Sequence, residues 1–175
     1  NNVGDVSCLA KKGEQNIDIV DLNLSGNKNV KGYEKINSLR ILNLSNCNIT
    51  NLNNLSNLDN LSELIISDNN LSNIEGVPEN LYILNISNCN LESLDKLANY
   101  TKLSTLNISD NKITTLEELP NFEYLSHLDV SGNPIQNWDK LKNIGIEFNI
   151  PQENGEYDDP ENDGSLALEA NNCNI

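Results

Sequence analysis

The sequence predicts an α/β fold in which short parallel β-strands stack as the coils of a solenoid. A stretch of regularly spaced apolar residues recurs along the chain, and its cleanest copy spans residues 103–125, LSTLNISDNKITTLEELPNFEYL. The first half of this copy has apolar residues at Leu103, Leu106 and Ile108, with polar residues between them. The second half has apolar residues at every third position, which are Ile113, Leu116, Leu119 and Phe122. A fixed period of this length is typical of repeat architectures, in which each coil buries its apolar side chains against the next coil.

The copies align at one position after each predicted strand, which is occupied by asparagine or cysteine. Successive positions are 20, 22, 20, 22 and 22 residues apart, so six copies stay in register. Backbone polar groups turn inward at this point, and an asparagine side chain, with two donors and an acceptor, can satisfy them. Cysteine is small and has a weak donor, so it can occupy the same place. The predicted structural ladder is Asn27, Cys47, Asn69, Cys89, Asn111 and Asn133.

The two halves of each copy predict different backbone conformations. Alternation in the first half places Leu106 and Ile108 inward and Thr105 and Asn107 outward, as in a strand. The period of three in the second half suits a 3₁₀ turn or a short helix. The shorter copy that contains Pro78 should be more extended. Because the two sides of each coil differ in width, the stack should form a curved arc.

This pattern resembles the leucine-rich repeats of the internalin and phosphatase-regulator types. Their unit of about 22 residues is L-x-x-L-x-L-x-x-N-x-I-x-x-I-x-x-L-x-x-L-x-x. The resemblance covers residues 19–144, and the chain departs from it in two 20-residue copies and in the two cysteines. It implies a parallel sheet on the concave face and 3₁₀, short helical or extended segments on the convex face. It also implies protein binding, usually on the concave strands.

The pattern divides the chain into three parts. We expect an N-terminal cap at 1–20, with one strand at 3–9, and about six leucine-rich repeats at 21–144. Residues 145–175 should form a C-terminal cap strand, near 144–150, followed by an acidic tail with a short helix at 165–170. The chain contains no methionine, even at position 1, which predicts a processed or cut chain.

The charge balance narrows the class of partner. The chain has 26 acidic and 11 basic residues, a net charge of −15. This argues against nucleic acid and anionic membranes as partners, because both require clustered basic residues. It is equally consistent with solubility and with a basic partner. No apolar run is long enough to span a membrane.

Metal and catalytic motifs are weak or missing. Asp159, Asp163 and Gly164 begin like a calcium loop, but Glu161 and Ala170 break the pattern, so no metal or cofactor is expected. His127 is the single histidine and has no nucleophile pattern beside it, so we do not expect an enzyme.

The cysteines and the glycosylation motifs bear on the compartment. Cys47 and Cys89 should lie two coils apart, on the order of 10 Å, which exceeds the reach of a disulfide of about 7 Å. Cys8 and Cys173 belong to opposite ends of the solenoid, so four free thiols are expected. Glycans on the N-x-S/T motifs within strands would cover the open face of the sheet. Either the chain never meets the eukaryotic glycosylation machinery, or this face does not bind a partner; we favour the first, which indicates a bacterial or cytosolic protein. These motifs begin at Asn23, Asn43, Asn85 and Asn107.

Three isoleucines interrupt the polar outward positions of the predicted sheet. Ile41, Ile65 and Ile83 fall on three consecutive coils, with Glu63 between them and Tyr82 beside them. Adjacent exposed apolar side chains with a polar rim are typical of a binding anchor, although β-propensity alone can also place isoleucines there. The candidate partner-binding residues are Ile41, Asn43, Glu63, Ile65, Tyr82, Ile83, Asn85, Thr105 and His127.

These observations predict a monomeric protein-binding module. We expect it to belong to a secreted or cell-surface bacterial protein. An intracellular scaffold or phosphatase-regulator-like protein, and a structural spacer within a longer chain, are the alternatives.

Overall fold

The repeats form one parallel β-sheet whose strands follow each other in chain order. The computed structural model describes residues 3–10, 18–143 and 167–169. The sheet has the order β1-β2-β3-β4-β5-β6-β7. The predicted solenoid is therefore confirmed. The strands are β1 (Asp21–Asn23), β2 (Ile41–Asn43), β3 (Glu63–Ile65), β4 (Ile83–Asn85), β5 (Thr105–Asn107), β6 (His127–Asp129) and β7 (Ala167–Glu169).

The central leucines of β1–β6 stack directly on one another. Leu42 pairs with Leu64, Leu64 with Leu84, and Leu84 with Leu106, without any shift in register. The side chains of these four leucines are fully buried, as the alternation predicted. Full burial of a leucine contributes about 2 kcal/mol, so the repetition of this residue supplies a continuous core. That core runs from Val6 to Leu141.

The other side of each coil contains short helical or extended segments. 3₁₀ helices occur at Ser7–Ala10, Tyr33–Lys35, Asn53–Asn57 and Asp95–Leu97. The copy that contains Pro78 forms turns and no helix. The copy after Asn111 forms no helix; it makes a parallel bridge from Thr115 to Asn137 instead. One α-helix, α1 (Asp139–Asn143), occupies the last described coil.

The predicted N-terminal strand at 3–9 is wrong. A single parallel bridge joins Asp5 to Lys31, and the chain then turns into the 3₁₀ helix that starts at Ser7. The physical cause is local: Asp5 Oδ1 accepts a hydrogen bond from Ser7 N at 2.8 Å, which bends the chain out of an extended path.

The short helix predicted at 165–170 is also wrong where the structure describes it. Residues 167–169 form β7, which pairs in parallel with β6. The edge of β6 offers backbone donors and acceptors, and an added strand satisfies them. The strand predicted at 144–150, the acidic tail with its partial calcium loop, and Cys173 lie outside the described residues.

None of the helices in the described residues is long and apolar enough to cross a membrane.

Candidate functional site

The ladder residues hold consecutive coils together. Asn111 Oδ1 accepts hydrogen bonds from the backbone N–H groups of Cys89 and Leu91, both at 3.0 Å. Its Nδ2 donates to the backbone carbonyls of Ile86, Ile108 and Ser109 at 2.9–3.0 Å. The side chain is only 6% exposed. Asn111 therefore satisfies five buried backbone groups in two coils, which is a structural role.

At two ladder positions cysteine replaces the donor of the asparagine side chain but not its acceptor. Cys89 Sγ donates to the Ile66 carbonyl at 3.2 Å, as an asparagine amide would. The thiol does not replace the acceptor, so the Cys89 backbone carbonyl accepts from Leu71 N at 3.0 Å. Cys47 repeats the arrangement with Leu24 and Asn29.

The thiols at these positions are donors and do not have the character of nucleophiles. Burial raises the pKa of the Cys89 thiol to about 11, and burial also raises the pKa of Cys47. Both therefore stay protonated at neutral pH. Free thiols are confirmed for Cys8, Cys47 and Cys89.

The open sheet face consists of the first and third residues of β1–β6. Each central leucine points into the core, so its two neighbours in the strand point away from it. The first residues are Asp21, Ile41, Glu63, Ile83, Thr105 and His127, and the third are Asn23, Asn43, Ile65, Asn85, Asn107 and Asp129.

The three isoleucines lie together on this face, as the alternation predicted. Ile41 and Ile83 flank Glu63 in register, and Ile65 lies two residues further along β3. All three isoleucines are half-buried. We call Ile41, Ile65 and Ile83 the isoleucine patch. It spans three adjacent strands, which are about 5 Å apart.

Thr105 and His127 extend the same row away from the patch. Ile83 pairs with Thr105, and Thr105 pairs with His127. Thr105 is half-buried and His127 is exposed. The two residues therefore form a polar border on the β5–β6 side.

Asn43 and Asn85 have an internal function that the sequence did not reveal. Asn43 Oδ1 accepts from Ser45 N at 2.9 Å, and Asn85 Oδ1 accepts from Ser87 N at 3.0 Å. Such side-chain bonds to a backbone N–H two residues on are typical of asparagine at turns, and here they end the strand. Asn23, Asn107 and Asp129 make the same bond.

Two exposed tyrosines lie beside the open sheet face. Tyr82, which directly precedes β4, is 54% exposed, and Tyr124 is 63% exposed. The pKa of the Tyr124 hydroxyl is raised, first by its hydrogen bond with Glu123 and to a smaller extent by Tyr82. Sequence reasoning identified Tyr82 but missed Tyr124, although an aromatic residue at a position that is not inward, beside inward Leu125, was the available signal.

A polar concavity follows the carboxyl ends of β1–β4. Its lining includes Asn46, Asn48, Asp68, Asn88 and Asn90. All five have positive φ angles of 50–62°, a conformation that asparagine and aspartate tolerate better than other residues with a side chain. Asn88 Nδ2 donates to Asp68 Oδ1 at 2.8 Å. The turns therefore account for these residues without a ligand.

No group of three or more histidine, cysteine or acidic side chains that could hold a metal ion occurs in the described part of the chain.

The fold and the comparisons define the class: this chain is a leucine-rich repeat protein. The family model for the leucine-rich repeat matches residues 79–135. A search of curated proteins gave no match.

Solved structures of bacterial repeat proteins resemble the chain. The internalin inlF of Listeria monocytogenes superposes with a TM-score of 0.71 at 26% identity, over 82% of this chain and 42% of that one. The internalin C2 (inlC2) of the same species superposes with a TM-score of 0.67 at 34% identity, over 82% of this chain and 64% of that one. A leucine-rich repeat protein of Leptospira interrogans superposes with a TM-score of 0.61 at 27% identity, over 72% of this chain and 35% of that one. The chain thus spans less than two thirds of the length of these structures.

Proposed function

We propose that the open sheet face binds a protein partner and that the isoleucine patch is its anchor. The observation that carries this proposal is Ile65. In the other five strands from β1 to β6, the equivalent residue is asparagine or aspartate, and its side chain accepts a hydrogen bond from the serine two residues on. Isoleucine has no acceptor, so β3 gives up this bond.

The loss of a structural bond favours a functional explanation over β-propensity. An internal hydrogen bond contributes about 1 kcal/mol. Isoleucine favours strands generally, but this propensity applies equally to the five strands that keep the acceptor. Placing the apolar side chain beside Ile41 and Ile83 creates a larger exposed apolar area, which is the kind of surface that partners bury.

The surroundings of the patch suit a protein interface. Glu63 lies between Ile41 and Ile83, and Asn43, Asn85 and Thr105 provide polar contacts around the patch. Tyr82 adds an exposed aromatic ring, a residue type enriched at binding hot spots. An apolar centre with a polar rim is the common anatomy of such interfaces.

The same reasoning supports a binding module in place of an enzyme. Leucine-rich repeat domains typically act through binding surfaces, and the buried thiols have raised pKa values. The similarity to Listeria internalins supports a secreted or cell-surface bacterial protein, which we propose as its setting. Fractionation of cells that express the full-length gene product, followed by protease shaving, would test this placement.

The direct test replaces Ile65 by the residue of the other strands. Ligands are selected from a random peptide library displayed on phage, and their affinity is then measured for wild type and for Ile65→Asn. We expect Ile65→Asn to reduce affinity at least tenfold, because a central anchor often contributes about 2 kcal/mol. We expect Ile83→Asn to reduce affinity to a similar extent.

Val3→Asn is the matched control. Val3 is an apolar residue that is 42% exposed and contacts Asn27 at the N-terminal end of the solenoid, away from the isoleucine patch. Its replacement should leave affinity within twofold. Ligands that tolerate both Ile65→Asn and Ile83→Asn would place the binding surface elsewhere on the solenoid.

A further inference from the structure

Glu63 is the charged residue at the centre of the isoleucine patch. It is the first residue of β3, between Ile41 on β2 and Ile83 on β4 in the same row of the sheet. Ile65 lies two residues along the same strand, on the same face. Glu63 is half-buried, and it shares one row of the sheet with Ile41 and Ile83.

No hydrogen bond or ion pair satisfies the Glu63 carboxylate within the described chain. The ion pair between Lys31 and Asp5, at 4.0 Å, lies at the N-terminal cap. Arg40 directly precedes Ile41, but it is exposed and forms no ion pair with Glu63. The carboxylate oxygens of Glu63 are therefore available to hydrogen-bond donors of a partner.

The charges of the open sheet face have one sign. Its charged residues are Asp21, Glu63 and Asp129, and neither row of the face contains lysine or arginine. His127 is the remaining titratable residue of the face. The whole chain has a net charge of −15, so its field also favours a cationic partner.

We propose that Glu63 is the specificity-determining residue of this surface and receives a lysine or arginine side chain from the protein partner. This inference rests on the proposed function of the isoleucine patch. Lysine and arginine have alkyl stems that pack on apolar surface while the charged head reaches a polar group. The stem would lie on Ile41 and Ile83, and the head would donate charge-assisted hydrogen bonds to the Glu63 carboxylate.

The proposal predicts which ligands the surface selects. A random peptide library displayed on phage is selected on wild type and, separately, on Glu63→Lys. Peptides that require Ile65 should be enriched in lysine and arginine when selected on wild type. That enrichment should disappear on Glu63→Lys, because the cation would then meet a like charge.

The contribution of Glu63 itself is measured with an isosteric change. Wild-type-selected peptides should bind Glu63→Gln roughly fivefold more weakly, the usual size for a partly exposed charge pair. Glu117→Gln is the matched control, since Glu117 is exposed, lies outside the sheet and changes the net charge equally. The affinity of Glu117→Gln for the same peptides should stay within twofold of wild type.

Replacing the selected cation in the peptide completes the test. Norleucine for lysine, or citrulline for arginine, should weaken binding to wild type and leave binding to Glu63→Gln almost unchanged. Equal losses for Glu63→Gln and Glu117→Gln would show general charge attraction and overturn the assignment. Peptides whose affinity falls with Ile65→Asn but not with Glu63→Gln would also overturn it, and they would still support binding at the isoleucine patch.

Two further outcomes would overturn both proposals. Selected peptides that bind Ile65→Asn as tightly as wild type would place binding away from the patch. A concentration-dependent dimer in sedimentation, dissolved by Ile65→Asn, would show that the face pairs with a second copy of this chain.

Discussion

Asn111 Oδ1 accepts a hydrogen bond from the backbone N–H of Cys89, which holds the equivalent position 22 residues earlier; the two atoms are 3.0 Å apart. The ladder thus couples an asparagine coil to a cysteine coil, and each needs a different set of backbone partners. The same pairing recurs two coils earlier, where Cys47 N donates to Asn69 Oδ1 at 3.1 Å.

Replacing Asn111 by leucine should lower the free energy of unfolding by about 1–3 kcal/mol, because it leaves buried backbone donors and acceptors unpaired. Urea melts of Asn111→Leu and of wild type measure the difference. Lys112→Leu is the control, since Lys112 is adjacent and exposed, and it should change stability by less than about 0.5 kcal/mol. A change of that small size for Asn111→Leu would contradict its place in the ladder.

Ile65→Asn should fold with a stability within about 1 kcal/mol of wild type. The new side chain can accept from Ser67 N, as Asn43 does from Ser45 N, and this gain offsets the lost apolar contacts. Urea melts test this before any binding measurement is interpreted. A loss above about 2 kcal/mol would mean that Ile65 belongs to the core.

Stability should fall at alkaline pH in a manner that depends on Cys89. Its pKa is about 11 in the folded chain and about 9 when unfolded, so the folded state retains the proton over this range. The unfolded state then binds fewer protons, and the free energy of unfolding decreases as pH rises from about 9 to about 11. The contribution of Cys89 should be roughly 1–2 kcal/mol.

Comparison with Cys89→Ser isolates this effect. Burial also raises the pKa of Tyr33 to about 12, so wild type alone would not report on the thiol. The serine variant should lose less stability between these pH values than wild type. Cys8→Ser, at an exposed position, should follow wild type. Parallel curves for all three proteins would contradict the assignment.

Gly32→Ala should destabilise the N-terminal cap more than Gly26→Ala. Both glycines have positive φ angles, 92° and 75°, so both variants incur backbone strain. A Cβ at Gly32 would meet Ser7 N at 2.4 Å, whereas nothing lies within 4 Å of one at Gly26. Thermal melts and hydrogen exchange at residues 3–10 provide the measurement. Equal effects would mean that the cap does not lie against Gly32.

Part of the candidate site could be predicted from the sequence. Alternation around Leu42, Leu64 and Leu84 was sufficient to place the isoleucine patch outward, because a strand has a period of two. The strand-ending bonds of Asn43 and Asn85 could not be predicted, since asparagine serves equally as a turn acceptor and as a surface contact. Tyr124 was missed because it precedes β6, where the alternation of the strand does not apply.

The sequence alone determined the repeat, the inward leucines and the ladder positions. A solenoid coil contacts only its neighbours, so the period of the sequence is also the period of burial. Tertiary structure decided the ends and the exceptions: the bridge of Asp5 to Lys31, the pairing of β7 with β6, and the carbonyl that replaces the missing acceptor at Cys89. These features depend on hydrogen bonds between separate segments of the chain, and only the folded chain brings their donors and acceptors together.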